Sequence, residues 1–127
     1  MSFARWVFRI AGIYGVAVIA PMYFLEERFG RYMPPPLNHP EFFYGFAGVA
    51  LAWQVAFLVI SFEPARYRLM MIPAIVEKFS FTAAAVVLLV QGRIPLPMFA
   101  GAMLDLVWGV LFVAAFVATM PRAKEIT

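Results

Sequence analysis

The fold is decided by residues 98–120, which read MFAGAMLDLVWGVLFVAAFVATM and contain Asp105 as their one charged residue. A helix of about 20 predominantly apolar residues is long enough to cross the hydrocarbon core of a bilayer. The stretch is continuously apolar, so it lacks the alternation of inward and outward residues that strands of a membrane barrel need. It is therefore predicted to be a transmembrane helix.

Three further segments have the same apolar character, and they cover residues 5–25, 42–62 and 69–90. Prolines such as Pro34–Pro36 lie in the connections, where they are compatible with the residues just before or just after a helix. Pro73 is the exception, because it either begins the third helix or kinks a longer one. The predicted fold is an all-α membrane protein, a single domain formed by an antiparallel bundle of four transmembrane helices with short loops.

The composition agrees with a membrane protein, since 65% of the 127 residues are hydrophobic and 13% are charged. Soluble domains are about 45–50% apolar and about 25% charged. The chain has no cysteine, and its one histidine, His39, has no second ligand at a suitable spacing, so no metal site is predicted. The basic residues lie mostly at segment ends and form no stripe for nucleic acid, and no cofactor motif is present.

The distribution of Lys and Arg predicts the orientation of the bundle. Loops on the cytoplasmic side of a membrane carry an excess of these residues. Six of them flank one face and three the other, so both termini are predicted to be cytoplasmic, in a multi-pass protein of the cell inner (plasma) membrane. The two sets are Arg5, Arg9, Arg66, Arg68, Arg122 and Lys124 against Arg28, Arg31 and Arg93.

Two adjacent charged residues, Glu77 and Lys78, interrupt the third apolar segment. A charged side chain near the centre of a membrane helix costs about 2.5–3.5 kcal/mol on insertion scales, so such residues mark candidate functional sites. Gln54, beside Trp53 in the second segment, lies at a similar depth when the helices are antiparallel. We expect Gln54 to donate a hydrogen bond to Glu77, and Lys78 to reach either the cytoplasmic interface or an acid.

The fourth segment places five residues on one helix face, at i, i+4, i+7, i+8 and i+11. They are Gly101, Asp105, Trp108, Gly109 and Phe112. Small residues on either side of an acid allow a neighbouring helix backbone to approach closely. We therefore expect Asp105 to face the bundle and to contact a polar group there.

Three stretches resemble the small four-helix membrane proteins of bacteria that are grouped with the DoxX-like families. They are WQVAFLVI (residues 53–60), IPAIVEKFSF (72–81) and DLVWGVLFVAAF (105–116). The resemblance covers most of the chain at the level of topology, and it implies a quinone- or thiol-redox partner. The thiol chemistry would lack a cysteine in this chain.

Two other four-helix groups differ from this chain in their polar residues. Small multidrug transporters carry their essential glutamate in the first helix, where this chain has none. EXPERA isomerases place His, Glu, Asp and Trp around a lipid pocket. This chain has Glu77, Asp105 and Trp108 but no histidine within a predicted membrane segment.

The predicted function is binding of a lipid or a quinone, or a role as a subunit of a membrane complex. The alternatives are a small proton-coupled transporter and an EXPERA-like lipid isomerase. No catalytic residue is assigned, and the predicted partners are membrane lipids and the other subunits of a homo- or hetero-oligomer. The predicted polar network consists of Trp53, Gln54, Glu77, Lys78, Asp105 and Trp108.

Overall fold

The computed structural model describes residues 2–32 and 38–121, and within these ranges its regular elements are all helical. Four of the helices are long and apolar enough to cross a membrane, which confirms the predicted all-α bundle. The chain is therefore a multi-pass membrane protein whose outer surface contacts lipid. The elements are α1 (Ser2–Ile19), α2 (Glu26–Tyr32), α3 (Pro40–Phe62), α4 (Met71–Val90) and α5 (Leu96–Ala118). Pro34–Pro36, Arg122 and Lys124 lie outside the described residues.

Proline determines where the first membrane helix loses its regular geometry. The α-helix ends at Ile19, and the chain continues as a 3-10 helix over Ala20–Phe24, whereas the sequence predicts one helix to residue 25. Pro21 has no backbone N–H and its ring conflicts with the preceding turn, so it cannot continue an α-helix. The whole span Phe3–Phe24 nevertheless remains long enough to cross a bilayer.

The fourth helix begins and ends at residues with special backbone requirements. Pro73 lies in the first turn of α4, so it belongs to a helix start and does not kink a longer helix. At the other end, Gly92 adopts a φ of 71°, which is strained for residues with a Cβ. Its neighbour Arg93 donates a backbone hydrogen bond of 2.8 Å to Leu88 O, which closes the helix as a Schellman motif.

The long connection before α3 contains the short helix α2, which the sequence pattern did not predict. Glu26 and Glu27 lie in its first turn and Arg31 in its last, where each charge is favourable to the helix dipole. The Tyr44 hydroxyl donates a 2.9 Å hydrogen bond to Glu26 Oε2, and this bond joins α2 to the start of α3. His39 precedes α3 and contacts Glu41 in its first turn at 3.0 Å, close to the predicted helix start.

The four long helices pack as two antiparallel pairs, α1 with α3 and α4 with α5, while α1 also packs on α5. The helices α3 and α4 touch at few positions. One end of the bundle is tightly filled by the start of α1, the end of α3, the start of α4 and the end of α5. We call this end the closed half, and its core consists of Ala4, Val7, Phe8, Ala11, Phe57, Ile60, Met71, Ala74, Phe112 and Ala115.

Two glycines of α1, Gly12 and Gly15, allow α1 and α3 to pack closely. A Cβ at Gly12 would lie 2.7 Å from Leu58 Cδ2 and 3.0 Å from the Gln54 backbone oxygen. A Cβ at Gly15 would overlap the Gln54 side-chain amide. Gly45 of α3 makes no such contact, because a Cβ there would meet nothing within 4 Å.

Arg68 fixes the other pair at the closed end of the bundle. Its Nε and Nη2 donate hydrogen bonds of 3.1 and 2.9 Å to the Phe116 backbone oxygen. Its guanidinium carbon also lies 3.6 Å from the centre of the Phe116 ring. Since the last carbonyls of a helix have no partner within the helix, Arg68 satisfies one of them near the end of α5. Arg68 therefore has a structural role, since it joins the start of α4 to the end of α5.

Candidate functional site

A cavity of about 480 Å³ occupies the half of the bundle opposite the closed half. All four long helices contribute to its wall, and we call this region the open half. Several residues of its wall are exposed, among them Val18, Phe46, Val49, Phe81 and Leu104. The cavity is mostly apolar and has a small polar region on α4 and α5. The six residues of the predicted polar network all line it: Trp53, Gln54, Glu77, Lys78, Asp105 and Trp108.

Lys78 is the central residue of the polar region. Its Nζ lies 3.3 Å from Asp105 Oδ1 and 3.6 Å from Glu77 Oε2, so one ammonium group serves two acids. The Lys78 side chain is 8% exposed, compared with 25% for Glu77 and 26% for Asp105. All three residues line the cavity, and Lys78 is the least exposed of them. We call these three residues the Lys78 triad.

The expected hydrogen bond between Gln54 and Glu77 is not formed, and this part of the prediction was wrong. Gln54 instead donates a 2.8 Å bond to Ala50 O, four residues earlier in its own helix. Glu77 Oε2 is buried and has no hydrogen-bond partner among the described residues. A Gln side chain can reach its own helix carbonyl locally, and matching depth alone does not align two helix faces.

The prediction for Lys78 is confirmed in the second of its two alternatives, because its ammonium reaches an acid, Asp105, at 3.3 Å. Lys78 does not extend to the membrane interface, because it is buried and paired with acids. Adjacent helical residues point in different directions around the helix, which argues against a contact between Glu77 and Lys78. The flexible four-carbon stem of lysine overcomes this separation, so Lys78 contacts both Glu77 and the more distant Asp105.

Asp105 faces the bundle and contacts a polar group, as its helix face predicted. The roles of the two glycines differ from the expectation. Gly109 is packed, since a Cβ there would lie 3.1 Å from the Phe79 ring and 3.3 Å from Lys78 Cβ. Gly101 lines the cavity, and a Cβ there would meet nothing within 4 Å. The predicted face of α5 thus extends from the open half into the closed half.

The Lys78 triad lies where the cavity meets the closed half. The Lys78 Nζ is 5.3 Å from the centre of the Phe57 ring, whose side chain is fully buried. Phe57 packs edge-on against Phe112 at 4.9 Å, and Phe8 stacks on Phe112 at 4.3 Å. A packed aromatic core therefore supports the charged groups from behind, and its ring face is favourable to the ammonium.

Aromatic side chains form much of the remaining wall. Trp53 and Trp108 were part of the predicted network, but Tyr14, Phe46 and Phe81 were not. The Tyr14 and Trp108 rings lie 6.2 Å apart. On α1 the wall residues Ala11, Tyr14, Gly15 and Val18 follow helical spacing, which could have indicated a shared face. Apolar spacing in a membrane helix does not distinguish a cavity wall from a lipid-facing surface, so these residues were missed.

Within the described ranges, no group of three or more His, Asp or Glu side chains is arranged to hold a metal ion. The chemistry available in the open half is therefore that of its triad, its aromatic rings and its apolar walls. Comparison with protein-family models, with curated proteins and with solved structures finds no match to this chain.

Proposed function

We propose that this membrane protein binds a membrane-soluble small molecule, such as a lipid or a quinone, in the cavity of its open half. The observation that carries the proposal is the cavity itself. Its volume of about 480 Å³ falls within the roughly 300–1,000 Å³ of small-molecule sites, which combine apolar walls with a few polar groups. A purely structural bundle would gain stability by filling this space with side chains.

The position of the charges supports the same proposal. Charged side chains inside a membrane are expensive and are found where they face a cavity or a partner. Lys78, Glu77 and Asp105 meet at the cavity wall, whereas the core cluster of the closed half, as described above, consists of apolar side chains. A polar group at one end of an amphipathic ligand would lie beside the triad, and its apolar part would contact the aromatic wall.

Two glycines provide a matched test of ligand binding. Both Gly101 and Gly45 have open space where a Cβ would lie, but only Gly101 lines the cavity. We expect wild-type protein purified from native membranes to carry a bound lipid or quinone, detected by native mass spectrometry and identified after extraction. Gly101→Phe should reduce its occupancy at least fivefold, and Gly45→Phe should leave it unchanged. Equal occupancy in both variants, or no bound molecule in wild type, would contradict the proposal.

A proton-coupled transporter is the second candidate, and one observation favours it. Two carboxylates share a single ammonium, and Glu77 Oε2 has no hydrogen-bond partner among the described residues. Such a site can exchange a proton against another positive charge. Reconstituted protein would then move its ligand faster under an imposed proton gradient, and Glu77→Gln would abolish this acceleration. Transport that does not respond to the gradient would argue against this candidate.

Membership in the DoxX-like group and an EXPERA-like isomerase activity stay predictions of the sequence. For the isomerase, Glu77 and Asp105 both line the cavity wall, as a general acid and base would. Double-bond migration in an added sterol would support that activity, and it is detected by chromatographic separation of the two isomers and by NMR, because their masses are equal.

For the cellular location we propose a bacterial inner membrane with both termini in the cytoplasm. The orientation rests on the Lys and Arg count of the sequence, and the bacterial membrane rests on the resemblance to the DoxX-like proteins. A reporter that functions only in the cytoplasm should be active when it is fused at Thr127. Activity of a periplasm-specific reporter at the same position would reverse the orientation.

A further inference from the structure

We propose that the cavity selects lipophilic cations, with the positive group of the ligand beside Glu77 and Asp105 and its apolar part among the aromatic rings. This inference rests on the proposed function, because it names the chemical class of the molecule that the cavity binds. Three observations carry it: the charge of the cavity wall, the incomplete pairing of the acids, and the position of the aromatic side chains.

The charge of the wall is unbalanced. Among the described residues that line the cavity, the charged ones are Glu77, Lys78 and Asp105. With both acids ionised, their sum is one excess negative charge in a region surrounded by lipid. Low-dielectric surroundings make an unbalanced charge expensive, so the site gains most from a ligand that brings one positive charge. An anionic ligand would double the excess.

The carboxylate oxygens of the two acids can also accept further hydrogen bonds or ion pairs. Charge-assisted N–H···O bonds between fully paired groups are about 2.7–2.9 Å long. The ammonium of Lys78 lies farther from both acids, at 3.3 and 3.6 Å, because it is placed between them. Glu77 Oε2 accepts no hydrogen bond from the described residues. The Glu77 and Asp105 side chains are about one quarter exposed and line the cavity, so a ligand there can contact the exposed part of each carboxylate while Lys78 keeps its place.

The aromatic wall suits the same class of ligand. Five aromatic side chains line the cavity, and the faces of such rings attract cations, most strongly when water is excluded. They are Tyr14, Phe46, Trp53, Phe81 and Trp108. A neutral quinone would be accommodated by the rings but would leave the excess charge unbalanced. The combination of rings and acids therefore favours a cation with an apolar body.

The test compares ligands that differ in charge and little in shape. Tetraphenylphosphonium and tetraphenylborate are isosteric ions of opposite sign, and decylubiquinone serves as the neutral ligand. Binding to purified protein in detergent is measured by titration calorimetry, with empty micelles subtracted. We expect wild type to bind the phosphonium at least tenfold more tightly than the borate. Gly101→Phe should remove this binding, and Gly45→Phe should preserve it.

Charge variants determine whether the triad sets the preference. Glu77→Gln leaves the wall with no net charge and should lower the preference for the phosphonium at least fivefold. Glu77→Gln combined with Asp105→Asn leaves Lys78 alone and should reverse the preference toward the borate. If the double variant does not fold, the single variant and Asp105→Asn give the same comparison.

The outcomes separate the inference from the function on which it rests. Binding of decylubiquinone that Gly101→Phe removes, together with phosphonium and borate binding equally or not at all, would overturn the cation preference and leave a ligand-binding cavity. A preference for the phosphonium that Glu77→Gln does not change would also overturn it. If none of the three ligands binds beyond the micelle control, the inference is contradicted, and the lipid or quinone occupancy measured by native mass spectrometry decides the proposed function separately.

Discussion

In the closed half, Phe8, Phe57 and Phe112 pack ring against ring and have no exposed surface, whereas in the open half Phe46 and Phe81 leave about half of theirs uncovered. Both halves are built by the same four helices from similar residues. They differ in what fills the space between the helices: side chains in one half and a cavity of about 480 Å³ in the other. One half of the bundle is therefore closely packed, and the other leaves space between its helices.

The difference in packing between the two halves predicts that the same substitution, Phe→Ala, changes the free energy of unfolding by different amounts at two positions of one helix. Phe57 and Phe46 both lie on α3, with exposed fractions of 0% and 52%. We expect Phe57→Ala to reduce the free energy of unfolding by about 3–5 kcal/mol, the usual cost of removing a buried aromatic side chain. Phe46→Ala should reduce it by less than about 1 kcal/mol. Denaturant unfolding in one detergent gives both values, and comparable losses would mean that the halves are equally packed.

The boundary between the halves is tested at Lys78. Lys78→Met leaves Glu77 and Asp105 side by side without a cation, and breaking a buried ion pair costs about 3–5 kcal/mol. We expect a loss near the lower end of that range, about 3 kcal/mol, because the acids face the cavity. Glu77→Gln alone should cost less than about 1 kcal/mol, since Lys78 keeps Asp105 as its partner.

A double-mutant cycle sharpens this prediction. Glu77→Gln and Asp105→Asn together leave Lys78 buried without an acid, so their combined loss in unfolding free energy should exceed the sum of the two single losses. Additive losses would show that the two acids do not share the ammonium. If Glu77→Gln lowers the unfolding free energy more than Lys78→Met does, then Glu77 and not Lys78 is the buried charge that holds the triad together.

The smallest expected effect comes from two glycines. Gly12 packs on α3 near the closed half, and a Cβ there would crowd a backbone oxygen at 3.0 Å. Gly12→Ala should therefore destabilise the protein by about 1–3 kcal/mol, the usual cost of overpacking. Gly101→Ala at the cavity should change stability by no more than about 1 kcal/mol, in the stabilising direction, because alanine favours helix. Thermal unfolding of both variants compares them, and a destabilised Gly101→Ala would contradict the open space at that position.

Much of this architecture could be predicted from the sequence, because the bilayer imposes simple rules. Helix length and continuous apolar character determined the four membrane helices, and prolines such as Pro40 and Pro73 marked their starts within a few residues. Asp105 could be assigned to the bundle because an acid between glycines is too expensive to face lipid. These conclusions need only local sequence and the physics of a membrane.

Side-chain pairing could not be predicted in the same way. The hydrogen bond of Gln54 depends on its own helix carbonyl, and the two contacts of Lys78 depend on a flexible stem and on the rotation of α4 against α5. Depth along a helix is readable from sequence, but rotation about its axis is determined by packing. The cavity was unpredictable for the same reason, since its walls come from all four long helices and depend on how these pack.

The most direct test of the account compares the chemical access of the two halves. The chain has no cysteine, so Ser80→Cys and Ala115→Cys each introduce a single thiol. Ser80 lines the cavity three residues from Glu77, whereas Ala115 is fully buried in the closed half. Each thiol is treated in membranes with trimethylammonioethyl or sulfonatoethyl methanethiosulfonate, and rates are normalised to those of a small free thiol.

We predict that Ser80→Cys reacts and that its normalised rate is at least tenfold higher with the cationic reagent than with the anionic one. Adding Glu77→Gln should lower this ratio, and Ala115→Cys should resist both reagents. Equal normalised rates for the two reagents at Ser80→Cys would contradict an excess of negative charge in the open half. Modification of Ala115→Cys as fast as of Ser80→Cys would contradict a closed half that is tightly packed.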